Sequence, residues 1–525
     1  MNFNEFEKTG ILEVDVTNAI EICREKGIGS LEFDKGKYVF NSEYLPESVC
    51  CISNHGSNGY KKAIFVLKNM KDFIIDGNGS EFVTEGIAGG FIIDHCENIT
   101  IKNLSFDTTV KFSASGKVTS VAEDSFTAKL DIREPYCIEG GMLCFGNVGA
   151  KHSFAMGMVE LNTEKRRFRD GVGDLWSIGK NHFIFEKKEN GEFLISGVDR
   201  TPIVGNSVVI MSGGGSRLAP AMFCVSSKNI TVENYTVFGC MGMGIIAQKC
   251  ENITVDRMNT IDGNGSGFSA SADATHFVAC RGLIHVKNCV FEAQLDDSFN
   301  VHGIYNKILE KGKNYIVIGY MHPEATGTDI YDVDSKIEVS DRLTLIPYAE
   351  YKVTSIKRIN NNTTLLELDA DTDKIKLGDV IESVEYCPDV IFENNRVDYN
   401  RARGMLLASR GKTIIRNNYF ATPGPAILFE SNGSFWFESG GTKDVTIENN
   451  TFSGCCYGGW GKNTIAVCHR EKYEKGKYYH KKITIKDNVF DSCVGNAYSV
   501  SNDDVENFVF VGNRISPLDS DNEKS

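Results

Sequence analysis

One short pattern recurs down the chain and limits its fold more than any other feature. Glu97-Asn98-Ile99-Thr100-Ile101-Lys102-Asn103 returns as Lys228-Asn229-Ile230-Thr231-Val232-Glu233-Asn234, then as Glu251-Asn252-Ile253-Thr254-Val255 and Leu283-Ile284-His285-Val286-Lys287-Asn288. Later copies end at Asn395, Asn418, Asn450, Asn488 and Asn513. Apolar and polar residues alternate in most copies, the period of a strand with one buried face. The nearest copies lie about 23 residues apart, the size of one unit in a solenoid. So short a unit, with strands and turns but no helical period, predicts one coil of a parallel β-helix. Ile99, Ile101, Val232, Val255 and Val286 are expected to stack inside the tube, and the Asn residues to stack at one turn as a hydrogen-bonded ladder. A β-sandwich has similar strands but no fixed Asn-ended unit. The expected fold class is all-β, a right-handed parallel β-helix with two inserted β-barrel-like domains. Such a core lengthens with each coil, so 525 residues need no series of separate compact domains.

The repeat is broken twice. Residues 108–205 and 304–385 carry strand-like runs such as Phe126-Thr127-Ala128-Lys129-Leu130 and Tyr315-Ile316-Val317-Ile318-Gly319-Tyr320 without the Asn-ended signature. Both read as all-β insertions leaving one edge of the solenoid. The chain then divides into 1–107 (a cap helix and the first coils), 108–205 (first insertion), 206–303 (coils with an acidic cluster), 304–385 (second insertion) and 386–525 (last coils and a polar tail). Val16 to Gly27 reads as the helix that closes the tube, with Thr17 or Asn18 as N-cap and Gly27 as stop.

The formal net charge of −14 repels phosphate backbones and anionic bilayers, so neither nucleic acid nor membrane is an expected partner. No apolar run reaches the roughly 18–20 residues that span a bilayer. The start, Met1-Asn2-Phe3-Asn4-Glu5-Phe6-Glu7, lacks the basic and apolar segments of a secretory signal. As written the chain reads as cytoplasmic; a signal already removed would make it extracellular or periplasmic. Its 16 Cys residues are scattered and read as buried, reduced thiols. A homodimer is compatible with the sequence.

The coil from Ile253 to Ile284 exceeds its neighbour by about eight residues, the Gly-rich stretch Asp262 to Phe268. With that loop set aside, Asp273-Ala274-Thr275-His276-Phe277-Val278 lies over Asp296-Asp297-Ser298-Phe299-Asn300-Val301. Adjacent strands stand about 4.8 Å apart, so Asp273 and Asp296 become neighbours with Asp297 beside them. Three carboxylates so close repel one another unless some are protonated, bound to a cation or engaged by substrate. Paired carboxyls are what glycosidic cleavage needs: one protonates the leaving oxygen, the other handles water or the anomeric carbon. An Asp ladder capping turns, or a calcium site of the kind that could serve a polysaccharide lyase, are the other readings. Arg401 and Arg403, in Arg401-Ala402-Arg403-Gly404, fall over Leu295 to Ser298 and suit a sugar hydroxyl or a carboxylate. Glu430, Trp436 and Glu438 lie one coil further, with Trp436 placed to stack on a sugar face. His276, Asn300 and His302 flank the carboxylates as candidate contacts to sugar hydroxyls. There is no zinc-ligand spacing, phosphate-cradling loop or nucleophilic Ser elbow.

At these residues the chain resembles glycoside hydrolase family 110, the α-1,3-galactosidases. The likeness is carried by Ser271-Ala272-Asp273-Ala274-Thr275-His276-Phe277, Cys280-Arg281-Gly282, Gln294-Leu295-Asp296-Asp297, Asn300-Val301-His302-Gly303, Asn400-Arg401-Ala402-Arg403-Gly404 and Ile427-Leu428-Phe429-Glu430, with the early Ile52-Ser53-Asn54. It implies a β-helix with inserted β-barrels. It also implies exo-acting, inverting, metal-independent release of terminal α-1,3-linked galactose from an oligosaccharide or glycoconjugate, as in blood group B and linear α-Gal epitopes. It gives Asp296 the part of general acid, and Asp273 and Asp297 the holding and activation of water. Inversion uses carboxyls about 6.5–9.5 Å apart and retention about 5–5.5 Å, so the loop after Asp262, or a bulge at the Asp pair, is expected to splay them. Ser298-Phe299 replaces a smaller pair, and Phe299 is expected to reshape the pocket. A lyase of uronate polymers and a non-catalytic glycan-binding β-helix are the alternatives.

Overall fold

The structure, a computed structural model, describes residues 1–55, 59–146, 153–175, 183–212, 217–263, 265, 267–468, 471–501 and 503–516. Two long, mainly parallel sheets run the length of a tube. One contains Lys228–Val237, Glu251–Thr260, Arg281–Lys287, Asp389–Glu393, Lys412–Arg416, Asp444–Glu448 and His480–Lys486. The other contains Met222–Val225, Ile245–Gln248, Thr275–Val278, Phe299–Ile304, Met405–Leu407, Ile427–Phe429 and Asn463–Val467. Alternation in each strand sends every second side chain inward. Strand register then aligns Ile75, Ile101, Val232, Val255, Val286, Phe392, Ile415, Ile447, Ile485 and Phe510 in one column. All but Phe510 are buried, and each such side chain contributes about 1.5–3 kcal/mol.

The Asn residues explain how the tube turns its corner. Asn394, Asn417, Asn449 and Asp487 have φ of 56°, 57°, 55° and 57°, the left-handed region that Asn and Asp tolerate best among residues with a Cβ. The next residue in each case is the buried ladder Asn. Asn418 N–H donates to Asn450 Oδ1 at 2.9 Å, and Asn450 N–H donates to Asn488 Oδ1 at 2.8 Å. Asn450 Nδ2 donates back to Ile415 O at 2.9 Å. The ladder thus satisfies turn groups that would otherwise be buried unpaired.

Helix α1 covers Leu12–Lys26 and closes the N-terminal end, burying Val16, Ala19, Ile20 and Cys23. It begins before the expected cap. Thr17 is interior and donates to Glu13 O at 2.8 Å, whereas Ile11 takes the N-cap position without a side-chain bond. Gly27 ends the helix at φ 65°, as expected. Glu13 and Asp15 in its first turn are buried as well. They are buried because Glu13 Oε1 accepts from Asn41 N–H at 2.5 Å and Asp15 Oδ1 from Thr9 N–H at 2.6 Å.

The first insertion forms a ten-stranded antiparallel sheet around Phe112, Phe126, Phe145, Phe193 and Ile210. Its last strand, Ser207–Ser212, pairs antiparallel with Ser113–Val121, so the insertion runs past the boundary expected at 205. The second insertion closes into a barrel of Asn306–Lys311, Tyr315–Gly319, Thr363–Leu368, Pro347–Asn360, Lys336–Ser340 and Val380–Ser383. Across it the tube resumes in register, Phe299 lying beside Met405. No helix among the described residues is long and apolar enough to cross a membrane.

Candidate active site

The acidic cluster lies where three coils of the second sheet begin. Thr275 pairs with Phe299 and Phe299 with Met405. Ala274 N–H donates to Asp297 O at 2.9 Å, and Ser298 N–H donates to Gly404 O at 2.9 Å. Asp273 is therefore level with Asp297 rather than with Asp296, one residue off the expected register. Asp296 falls between rungs and projects from the turn. The carboxyls are not splayed: one oxygen from each of Asp273, Asp296 and Asp297 lies within 4.8 Å of the others. Phe299 does not reach the pocket. It is fully buried inside the tube, against Phe277 and Phe392 at ring-centroid distances of 5.3 and 5.4 Å.

Three arginines from two parts of the chain converge on the cluster. Arg403 Nε donates to Asp297 Oδ1 at 2.8 Å, and its Nη2 lies 3.5 Å from Asp296 Oδ1. Arg217, which follows the first insertion, donates to Asp296 Oδ2 at 2.9 Å. Its other arm meets Asn54 O at 3.1 Å and Glu324 Oε2 of the second insertion at 3.4 Å. Arg401 stands 3.8 Å from Asp296 Oδ1 and is held by two bonds to Asp174 of the first insertion, at 2.8 and 2.6 Å. Side chains of this protein thus supply the counter-charge that three adjacent carboxylates require.

The same surroundings separate the protonation states. Burial, then the Asp296 charge, pushes Asp273 up to about 8. Burial alone would also raise Asp296, but Arg401, Arg403 and Arg217 outweigh it and hold that carboxyl below its ordinary range. Burial raises Asp297 against the pull of Arg403. At neutral pH Asp273 is an acid and Asp296 a carboxylate, side by side. Burial thus pushes Asp273, and Asp297 with it, towards the protonated form, whereas the resemblance gives the acid's part to Asp296.

These groups form the floor of a cavity of about 330 Å³. Asn300, Arg401, Arg403, Glu430, Trp436, Glu438 and His276 also line it, together with Asn54, Arg217, Leu406, Ser431 and Asn432. Asp297 Oδ2 and Asn300 Oδ1 are buried there without a hydrogen-bond partner, two acceptors available to a ligand hydroxyl or water. Trp436 stands at the rim, half exposed, with Phe435 and the His322 ring of the second insertion at 5.2 and 4.5 Å. Trp436 and Glu438 do not continue the coil. Glu438–Ser439 folds back antiparallel on Gly303–Ile304, which brings Glu438 to the pocket wall.

The two histidines differ from the sugar contacts expected of them. His276 is 1% exposed; its Nδ1 lies 2.5 Å from Asp273 Oδ2 and its Nε2 lies 2.9 Å from His302 Nε2. His302 Nδ1 faces Gly303 O at 2.7 Å. Every ring nitrogen already has a protein partner. Sequence reading also missed Arg217 and Asp174, which lie outside the repeat and carry no pattern. Asn54 appeared only within the resemblance.

Residues 315–381 match the family model described as GLAA-B beta-barrel domain II, and residues 380–520 the one described as right handed beta helix region. The mannuronan C-5 epimerase A-module of Azotobacter vinelandii aligns over 98% of this chain and 96% of its own, with TM-score 0.40 and 10% identity. The alpha-1,3-galactosidase B of Bacteroides thetaiotaomicron is 29% identical, covering 90% of this chain and 79% of its own length. The alpha-1,3-galactosidase A of Shewanella woodyi is 31% identical, covering 95% of this chain and 82% of its own length. The chain belongs to glycoside hydrolase family 110. In this family 110 hydrolase, then, a carboxyl raised by burial and a carboxylate stand together on a pocket floor, and Asn54, Arg217, Asn300, Arg403 and Glu430 are among the hydrogen-bonding groups of its walls.

Proposed function

We propose that the protein is an exo-acting α-1,3-galactosidase that releases terminal galactose with inversion of the anomeric centre. The observation that carries this reading is the pocket itself. At about 330 Å³ it sits at the small end of ligand sites, with room for one sugar ring above the carboxyl trio. Buried Asp273 and Asp297 close its floor, which favours a chain end over the middle of a polymer. Arg403, Glu430, Glu438 and Asn300 are positioned as hydrogen-bonding partners for galactose hydroxyls, and Trp436 as an apolar face for a ring. The trio supplies the acid that protonates the leaving oxygen and the base that takes a proton from water.

One observation favours a second stereochemical reading. The closest carboxyl oxygens, within 4.8 Å, are nearer the spacing of retaining than of inverting enzymes. NMR of the products from a panel of α-linked galactobioses tests both points. Release of β-galactose first, from the 1,3-linked isomer, is the expected result. α-Galactose as first product replaces inversion with retention, and no cleavage of any α-galactoside, or an unsaturated uronate product from an acidic polymer, overturns the proposal.

A further inference from the structure

The hydrogen bonds behind Asp273 leave few places for their protons. A carbonyl oxygen only accepts, so His302 Nδ1, 2.7 Å from Gly303 O, carries hydrogen in every state. The 2.9 Å contact between His302 Nε2 and His276 Nε2 holds one hydrogen, because two would clash and none would leave lone pairs opposed. The 2.5 Å contact between His276 Nδ1 and Asp273 Oδ2 likewise holds one. Three arrangements satisfy all three contacts, and in two of them His276 is neutral. In the first, Asp273 is a carboxylic acid donating to a neutral His276, which donates to a neutral His302. In the second, both shared hydrogens have moved one step. Asp273 is then a carboxylate, His276 is its other neutral tautomer, and His302 is a cation 3.5 Å from Glu438 Oε1. An imidazolium at His276 is the passage between them. No hydrogen enters or leaves; one unit of positive charge moves from Asp273 to His302.

We propose that His276 and His302 are positioning residues that form a proton wire behind Asp273, so that this carboxyl changes between acid and carboxylate by passing its proton inward rather than to solvent. The claim about turnover rests on the galactosidase reading above; the placement of the hydrogens does not. All three groups are buried, at 2%, 1% and 4% exposure for Asp273, His276 and His302, so water has little access along the route. The rungs set the geometry. His302 pairs with Val278, two residues along the strand from His276 and on the same face. The charges facing the wire are opposed. Asp296 and Glu438 favour the acid form of Asp273, whereas Arg217 and Arg403 favour the carboxylate. His276 is faced by His302, Glu438, Arg217 and Asp296, with His55 of the N-terminal loop nearby. Glu438 is steadied by Asn54 Nδ2 at 3.4 Å. Such a balance lets a small change at the pocket move the proton.

Two measurements on the full chain test this. With ¹⁵N-labelled histidine, NMR should show His302 Nδ1 protonated across the pH range of activity, and an exchange-protected proton shared with His276 that disappears in His302→Gln. A bare His302 Nδ1 overturns the wire. In kinetics on α-1,3-galactobiose, His302→Gln and His276→Gln should lower kcat by about 10–100-fold, less than the full contribution of an acid–base group. KM should change by less than about threefold, and the limb of the kcat–pH profile set by Asp273 should move. Reduced kcat with an unmoved pH profile indicates a merely structural role and overturns the proposal. The NMR needs no substrate. A wild type that cleaves no galactoside while its histidines show the expected pattern would therefore defeat the galactosidase reading and leave the wire standing.

Discussion

Arg217 donates to Asp296 Oδ2 at 2.9 Å, although the two lie in different coils and on opposite sides of the Gly-rich loop. That one bond, backed by Glu324 at 3.4 Å, ties both the first coils and the second insertion to the acidic cluster. Arg217→Met keeps the length of the side chain and removes its charge. Asp296 should then titrate higher, since Arg401 and Arg403 alone must offset its burial, and the acidic limb of the pH profile should move up. Stability should fall by about 1–3 kcal/mol, less than for a fully buried pair because two cations remain. Urea unfolding and a pH–kcat/KM series check both.

Asp273 makes a prediction about stability. Its carboxyl is pushed up to about 8 in the folded chain, against about 3.9 when unfolded. Between those values the folded chain binds a proton that the unfolded chain has lost. Its contribution is fully present below about pH 4, falls as pH rises, and is gone above about 8. Asp273→Asn retains an N–H donor for His276 and has no proton to lose. Relative to wild type it should gain stability steadily from pH 5 to pH 8, while kcat drops by about 10²–10⁴-fold. Chemical denaturation at several pH values measures the trend; a constant difference would contradict it.

Asp296→Asn should abolish turnover to a similar degree without unfolding the chain. The three arginines would then face an amide, and circular dichroism should be unchanged. Turnover near the wild-type rate would remove Asp296 from the reaction.

Trp436 is 40% exposed at the pocket rim. Trp436→Ala should raise KM for a galactobiose by about tenfold, the value of one stacked aromatic face at about 1–1.5 kcal/mol, with kcat changed far less. Initial-rate kinetics separates the two effects.

Asn450 is 1% exposed and bonds to the coils on either side of it. Asn450→Ala leaves the Asn418 N–H and the Ile415 carbonyl without that partner. Each buried orphan costs about 1–3 kcal/mol, so the thermal midpoint should fall clearly while KM stays at the wild-type value. Calorimetry with parallel kinetics tests this.

The tube was legible because its causes are local: the Asn at each corner and the alternating Ile and Val need only their own coil to be recognised. The neighbourhood of Asp273, Asp296 and Asp297 followed from coil length, but the one-residue offset did not. It depends on where the chain rejoins the strand at Thr275, which no residue type marks. Arg217 and Asp174 were invisible for another reason. Asp174 sits inside the first insertion and Arg217 just after it, and only the folded contact shows the target of each. The histidines stand near the carboxyls as expected, but their protein partners were not legible, since a His beside an Asp reads the same whether it faces ligand or protein. Phe299 shows the converse: it follows the acidic pair by two residues, and the strand turns it inward.

The barrel between Phe299 and Met405 also orders events in time. A ribosome adding about 5–20 residues per second completes Asp296 and Asp297, then needs on the order of 5–20 s to reach Arg401 and Arg403. During that interval the nascent rung carries its negative charges with Arg217 alone of the three arginines to answer them. Synthesis of the intervening domain therefore acts as a delay, and the acidic floor is completed only when the following coil emerges to receive it.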